Sequence, residues 1–269
     1  MPSPIITLTT DFGTTDSYVA QMKGTILTIN PSATLVDITH AIPPQDVARA
    51  AMVLDEIVDA FPAGTIHLAV VDPGVGTSRA ILAAELGSQR FVAPDNGLLT
   101  ILVRRLPRGR TVRLTAERFW RRPVSATFHG RDIMAPVAAH WSTGVDIAEL
   151  GDAYDGGLTE FSVDQPATSA RVVIGKVAWI DSFGNLVTNI DASLLPMESR
   201  RETLVELGRH QIRGIDRCYA DRPDGILIAI VGSSGRLEIA ISGGSAASHT
   251  KLASGERVRV VLPEGFSHG

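Results

Sequence analysis

The sequence predicts an α/β protein: an N-terminal, mainly parallel sheet flanked by helices, then a smaller C-terminal antiparallel β-barrel or sandwich. Three observations carry this reading. Strand-like and helix-like runs alternate from Ile5 to about Ala153, a polar stretch containing Gly and Pro follows, and from Arg171 only short β-type runs remain. Alternation argues for parallel strands covered by helices on both faces. Short runs between Gly, Asp and Ser turns argue for antiparallel neighbours. The boundaries this gives are 1–155 for the α/β domain, 156–170 for a linker and 171–269 for the β domain.

Each element has its own signal. "IITLTT" from Ile5 reads as a strand, and "DSYVAQMKGTILTI" carries apolar residues at helical spacing. "TLVDIT" is again a strand, and "DVARAAMVLDEIVDAF" a long amphipathic helix with Asp46 at its start. "TIHLAVVD" and "QRFVAPD" are further strands, and "RDIMAPVAAHWSTG" reads as a helix stopping at Gly144. In the second half, "RVVIGKVAWI", "NLVTNI", "TLVELG", "GILIAIVG", "RLEIAIS" and "RVRVVLP" are the strand candidates.

Composition narrows the function classes. Of 269 residues 44% are hydrophobic and 20% charged, enough apolar material for a real core and too little charge for a disordered chain. The net charge is −4, and the arginines at 104, 105, 108, 110, 121 and 122 make only a local cluster, so no nucleic-acid partner is expected. Cys218 is the only cysteine, which excludes an intramolecular disulfide and a cysteine-built zinc site. The seven histidines contain no H-x-x-x-H pair, so no protein-built metal site is expected. "MPSPIITLTTDFG" lacks a signal-peptide pattern, and no apolar run reaches membrane-span length, so a soluble, cytoplasmic protein without a membrane partner is expected.

In an open parallel sheet, ligands bind beyond the carboxyl ends of the strands, so the residues capping those ends are informative. Asp11 follows the first strand, Asp72 the third and Asp95–Asn96 a later one, while His129 in "TFHGRD" precedes a helix start. Any one alone reads as a turn former, a helix cap or a structural histidine. Together they would surround one crevice. In "LAVVDPGVGTSRA" the turn needs Pro73, Gly74 and Gly76, but it does not need Arg79. In "WIDSFGNLVTNI" a strand ends on Asp181, and Phe183, Gly184 and Asn185 follow. Phe183 there is either core beneath the turn or a stacking face for a heterocycle, a contact contributing about 1–3 kcal/mol. "DFG" at 11–13 and "HGRD" at 129–132 occur in the wrong order for a kinase, and "GVG" at 74–76 lacks a third glycine of a dinucleotide fingerprint.

The stretches "TTDFGTTDSYVAQMKG", "DITHAIPPQDV", "VVDPGVGTSR", "APDNG", "TFHGRDIMAP", "DSFGN" and "SSGRLEIAISGGSAA", taken in order, span both halves of the chain. On them the chain resembles the S-adenosylmethionine hydroxide adenosyltransferases, or S-adenosylmethionine hydrolases, relatives of the fluorinases and chlorinases. The resemblance implies attack of water or hydroxide on C5′ of S-adenosylmethionine, giving adenosine and methionine. It implies no cofactor beyond that substrate, and a homotrimer with its site at the subunit interface. It maps the catalytic trio onto Asp72, Arg79 and His129, with the proton acceptor left open between Asp72 and His129. It maps the ribose-diol acceptor onto Asp11, the methionine ammonium partner onto Asp16, and adenine stacking onto Phe183 with Asn185 beside it. Asp181 is assigned to the methionine end and Ser233 to the methionine carboxylate, with Glu238 and the backbone near Ala246 at the amino-acid and adenine edges. A halide-using halogenase and a non-catalytic S-adenosylmethionine or adenosine binder are the alternatives. Asp72 where halide-using relatives carry tyrosine, Val75 where fluorinases carry threonine and Gln45 in place of a pocket tryptophan all point away from halogenation. Ser234 stands where fluorinases carry an arginine.

Overall fold

The computed structural model describes residues 3–196 and 198–264. The chain divides into two compact units between Ser162 and Val163.

The first unit is built on a seven-stranded sheet of β1 (Ile5–Thr10), β2 (Thr34–Thr39), β3 (Ile66–Val70), β4 (Ile81–Leu86), β5 (Gln89–Pro94), β6 (Arg108–Leu114) and β7 (Gly151–Ala153), in the order β2-β1-β3-β5-β4-β6-β7. Strands β2, β1, β3 and β5 pair in parallel, as expected. The other half is antiparallel: β4 pairs with β5 and β6, and β6 with β7. The reason lies in the chain between β4 and β5. Leu86 pairs with Gln89 across a two-residue turn in which Gly87 has φ +57°, and so tight a turn joins only antiparallel strands.

Four helices cover this sheet: α1 (Tyr18–Ile29), α2 (Val47–Ile57), α3 (Thr100–Arg105) and α4 (Ala135–Ser142). The pleat sorts β3 between them. Ile66, Leu68 and Val70 pack in one core with Met22 and Ile26 of α1 and Val137 and Trp141 of α4. Ala69 and Val71 pack in the other with Leu54 of α2 and Leu102 of α3. Asp46 caps α2, its carboxylate accepting from the Arg49 amide at 2.9 Å. The helix expected from Arg131 opens instead as a wide π-type turn, Gly130–Met134, before α4 begins.

The second unit is all antiparallel in its strand pairs: β8 (Ala167–Ser169), β9 (Val172–Ile180), β10 (Leu186–Asp191), β11 (Leu204–Leu207), β12 (His210–Arg213), β13 (Leu227–Val231), β14 (Arg236–Ile241) and β15 (Arg257–Val261), with one short helix α5 (Ala246–Thr250). Its path is β12-β11-β15-β9-β10-β14-β13 with β8 beside β9, and a bridge from Asp216 to Ile230 draws the two ends toward a nearly closed barrel. Val173, Val177, Val205, Ile239 and Val258 fill its interior. Among the described residues no helix is long and apolar enough to cross a membrane.

Candidate active site

The parallel half of the first unit brings the ends of β1 and β3 side by side, with Thr10 in register with Val70. Asp11 and Asp72 therefore leave the sheet at one edge. A cleft of about 390 Å³ opens there, with Asp11, Asp72, Gln45, Val75 and His129 in its wall. Phe12, Tyr18 and Phe128 also face it, as an aromatic cluster with ring centres 5.3–5.8 Å apart. None of the three is marked by a motif of its own in the sequence; Tyr18 as an aromatic at the solvent-side start of a helix is the available signal.

The loop after β3 folds back so that Arg79 reaches Asp72. Amide hydrogen bonds from Val75 to the Asp72 carbonyl and from Thr77 to the Gly74 carbonyl make the turn. Gly76 sits at φ +81°, and any Cβ there would lie 2.7 Å from the Ala126 carbonyl oxygen, so only glycine fits. The Arg79 guanidinium then grips Asp72 with two hydrogen bonds, Nε to Oδ1 at 2.6 Å and Nη2 to Oδ2. The same Nη2 lies 3.1 Å from His129 Nδ1. A guanidinium only donates, so His129 Nδ1 is the acceptor and its proton rides on Nε2. Burial, helped by the Arg79 charge, holds the His129 pKa below its usual 6.5 against the pull of Asp72 and Asp132. The imidazole is thus neutral at pH 7.

Behind His129, the fully buried Asp132 fixes the wide turn. It accepts from Arg131 Nε at 2.7 Å, the Ser125 amide at 2.9 Å and Arg121 Nη1 at 2.9 Å. Burial alone would raise its pKa, but these bonds hold it below the usual carboxylate value. Asp11 Oδ2 accepts from the Gln45 amide at 2.9 Å, and Gln45 adopts φ +66°, an uncommon conformation for a side-chain-bearing residue at the cleft wall.

Two further acids stand outside the wall of this cleft. Asp16 is exposed on the loop before α1 and does not line the cleft. Asp95 also stays out of it, its carboxylate accepting from the Tyr154 hydroxyl at 2.9 Å and the Thr159 amide at 2.8 Å. Asn96 turns back to donate to the Val71 carbonyl.

In the second unit, Asp181, Phe183 and Asn185 share one turn. Asp181 Oδ1 accepts from the amides of Phe183 and Asn185 at 2.9 and 2.8 Å, and Oδ2 from Asn185 Nδ2 at 2.8 Å. The carboxylate is thus engaged in shaping the turn. Gly184 has φ +83° and presses on Ser245, where a Cβ would meet Oγ at 2.1 Å, while its carbonyl takes the Ala247 amide. That seats the turn beside the buried Ala246. Phe183 stands outside any core, with 78% of its surface exposed. Beside them, Asn185 Nδ2 donates to the Tyr219 hydroxyl at 3.4 Å; burial first, then the charges of Glu238 and Asp181, raise the pKa of Tyr219, a residue with no motif to mark it. Glu238 is buried on β14, its carboxylate against Gly232, and Ser233 is exposed in the β13–β14 turn. Among the described residues no cluster of three or more His, Cys, Asp or Glu side chains could hold a metal ion.

Comparisons with known proteins agree with one another. Residues 6–151 match the SAM hydroxide adenosyltransferase N-terminal domain and residues 175–259 its C-terminal domain. A protein named (R)-S-adenosyl-L-methionine hydrolase in Salinispora tropica is 38% identical, over 96% of this chain and 98% of its own. One of the same name in Thermus thermophilus is 37% identical, over 93% and 97%. A fluorinase of an Actinoplanes species is 31% identical over 70% and 72%. The crystal structure of an uncharacterized conserved protein from Thermotoga maritima superposes with a TM-score of 0.89 at 35% identity, covering 96% of this chain and 99% of that one. Both of its units match, in order and over most of their length, so the chain belongs to the SAM hydroxide adenosyltransferase family.

Proposed function

We propose that this chain hydrolyses S-adenosyl-L-methionine to adenosine and L-methionine, by attack of water on C5′ of the adenosyl group, and that it takes the (R) configuration at sulfur for which its relatives are named. The observation that carries the reading is the contact of Arg79 with both Asp72 and His129, the latter two standing in the wall of a nucleoside-sized cleft.

Bulk water, with a pKa of about 15.7, is a poor nucleophile. Three fixed groups around one water molecule change that. Arg79 stabilises the negative charge that develops on its oxygen, and His129 Nε2–H offers a second donor. The proton goes to Asp72: the one acceptor nitrogen of neutral His129 is engaged by Arg79, whereas each carboxylate oxygen keeps a further lone pair. As the oxygen–C5′ bond forms and the C5′–S bond breaks, the sulfonium leaves as a neutral thioether, and the proton passes from Asp72 to solvent. The leaving group needs no acid. Holding water in line with the C–S bond supplies the rest through orientation. A carboxylate at this place opposes a halide nucleophile, which sets the chain apart from its fluorinase relatives.

Asp11, with one oxygen uncommitted, receives the ribose hydroxyls, and Phe183 stacks on adenine with Asn185 at its edge. Asp181 serves the methionine end through the turn that it holds. Asp16 meets the methionine ammonium, Ser233 the carboxylate, and Glu238 and the Ala246 backbone complete the edges. The working assembly is a cytoplasmic homotrimer in which the C-terminal turn of one subunit meets the N-terminal cleft of its neighbour. The division of groups supports this: the water-activating set belongs to one unit and the open stacking face to the other.

The deciding experiment incubates the purified protein with each sulfonium epimer in ¹⁸O-labelled water and resolves the products by chromatography and mass spectrometry. Expected are adenosine and methionine in equal amounts from the (R) epimer, with the label on the adenosine 5′ oxygen. Adenosine no higher than in the protein-free control, with nucleoside still bound, would convert the reading to a non-catalytic binder.

A further inference from the structure

A second cavity, of about 560 Å³, lies in the C-terminal unit, and its lining is strongly cationic. Arg200 and Arg201 come from the turn before β11, Arg213 from the end of β12, and Arg217 and Arg222 from the loop beyond. Among the described residues only Asp216 and Asp221 in the lining oppose them, so five guanidinium groups face two carboxylates, an excess of three positive charges. Those two carboxylates are already in use. Arg222 Nε holds both oxygens of Asp216 at 3.1 Å, and Asp221 accepts from the Arg217 amide at 2.8 Å and from Cys218 Sγ. Among the described residues, the side chains of Arg200, Arg201 and Arg213 form no ion pair, while the Arg217 charge attracts Asp221.

The backbone holds these segments together. The Ile215 amide donates to the Arg200 carbonyl at 2.9 Å and the Gly214 amide to the Thr203 carbonyl at 2.7 Å. Gly214, at φ +84°, leaves room for the Arg201 backbone, where a Cβ would sit 3.4 Å away. Arg222 Nη2 ties the loop to the Arg213 carbonyl at 3.1 Å, and the Asp216 amide bonds to Ala229 of the barrel. Like charges gathered on a tied frame repel one another, and an anion in the cavity relieves that repulsion.

We infer that this cavity is a binding site for a compact oligophosphate, the phosphate chain being the recognised group whether free or carried by a nucleotide. Planar guanidinium groups match phosphate oxygens pairwise, and the excess of three charges suits an anion of three or more charges rather than a monoanion. A long nucleic acid fits less well, because it needs an extended basic face and the chain as a whole carries −4.

The test is calorimetric titration of the full-length protein with inorganic tripolyphosphate. Expected are saturable binding of one per chain, weakened about tenfold or more between roughly 50 and 500 mM salt, and orthophosphate at least about tenfold weaker. Arg201→Gln with Arg213→Gln should weaken tripolyphosphate about tenfold or more, and Arg217→Gln by less. Unchanged S-adenosylmethionine turnover would show that both variants are folded. Adenosine triphosphate binding tighter than tripolyphosphate would identify a nucleotide as the source, and equal binding a free phosphate chain; either supports the site. Absence of saturable binding, orthophosphate as tight as tripolyphosphate, or undiminished affinity in the folded double variant would overturn it. So would a single-stranded oligonucleotide that binds more tightly than the short phosphates.

Discussion

In the N-terminal unit Arg79 and Asp72 are packed away, keeping 9% and 5% of their side-chain surface, whereas in the C-terminal unit the residue Phe183 is 78% exposed. The contrast fits the role proposed for each group. Charges that activate water gain strength when solvent is excluded and when their partners are fixed beforehand. A ring that stacks on a base must offer a bare face. The architecture matches: parallel strands bring several loop ends to one edge, where distant residues converge, while an antiparallel hairpin turn presents its own residues outward. On the proposed roles, burial belongs to chemistry here and exposure to recognition.

Four measurements press on that division. Asp72→Asn should reduce kcat by about a thousandfold while leaving adenosine affinity within about threefold, read by turnover and by calorimetry. A comparable loss of affinity would erase the separation of roles. Acid should next expose the cost of a buried base. His67, wholly buried with Nδ1 2.9 Å from Thr7 Oγ1 and its ring stacked on Phe91, has its pKa pushed down by burial to about 4. Its folded pKa lies below the unfolded value, so its contribution is complete above about pH 6.5 and lost as pH falls toward 4. The loss amounts to about 3 kcal/mol. Denaturant melts at pH 7 and pH 4.5 should show this fall, and His67→Gln should flatten it.

Phe183→Ala should raise KM roughly 10- to 100-fold with little change in kcat, the reverse of the Asp72 result. An equal fall in kcat would mean that the exposed ring also orders the reacting atoms. The mildest test is the acid limb of kcat. In the proposed mechanism the neutral form of His129 is the working one, and its pKa is lowered, so the rate should fall only below the ordinary 6.5 as the imidazole protonates beside Arg79. His129→Gln should be slower but lose that limb.

Much of this was legible in the sequence, for physical reasons that can be named. The parallel half announced itself by buried, β-branched runs separated by amphipathic helices. The β4–β5 hairpin did not, because "ILAAEL" is rich in alanine and its one signal, Gly87 beside Ser88, is short. Arg79 stood out because the turn before it has no local use for a guanidinium, and Phe183 because Asp, Gly and Asn surround it. Tyr18, Phe12 and Phe128 escaped notice because their meeting is tertiary, with no shared motif. The left-handed Gln45 also escaped, since nothing in "PPQDV" signals that conformation at glutamine. The exposed place of Asp16 depends on a loop path that residue types alone do not fix. The configuration at sulfur proposed above rests on the names of the relatives, since both epimers present the same C5′.

The π-type turn at Gly130–Met134 has one further consequence, for how this enzyme could be lost. Helices generally tolerate deletions poorly, but here removal of one residue would let the stretch rewind as ordinary α-helix. The imidazole would swing by about 100° around the axis. The same rewinding would pull buried Asp132 away from Arg121, Arg131 and the Ser125 amide, so the imidazole and the carboxylate that braces it would be displaced by a single deletion.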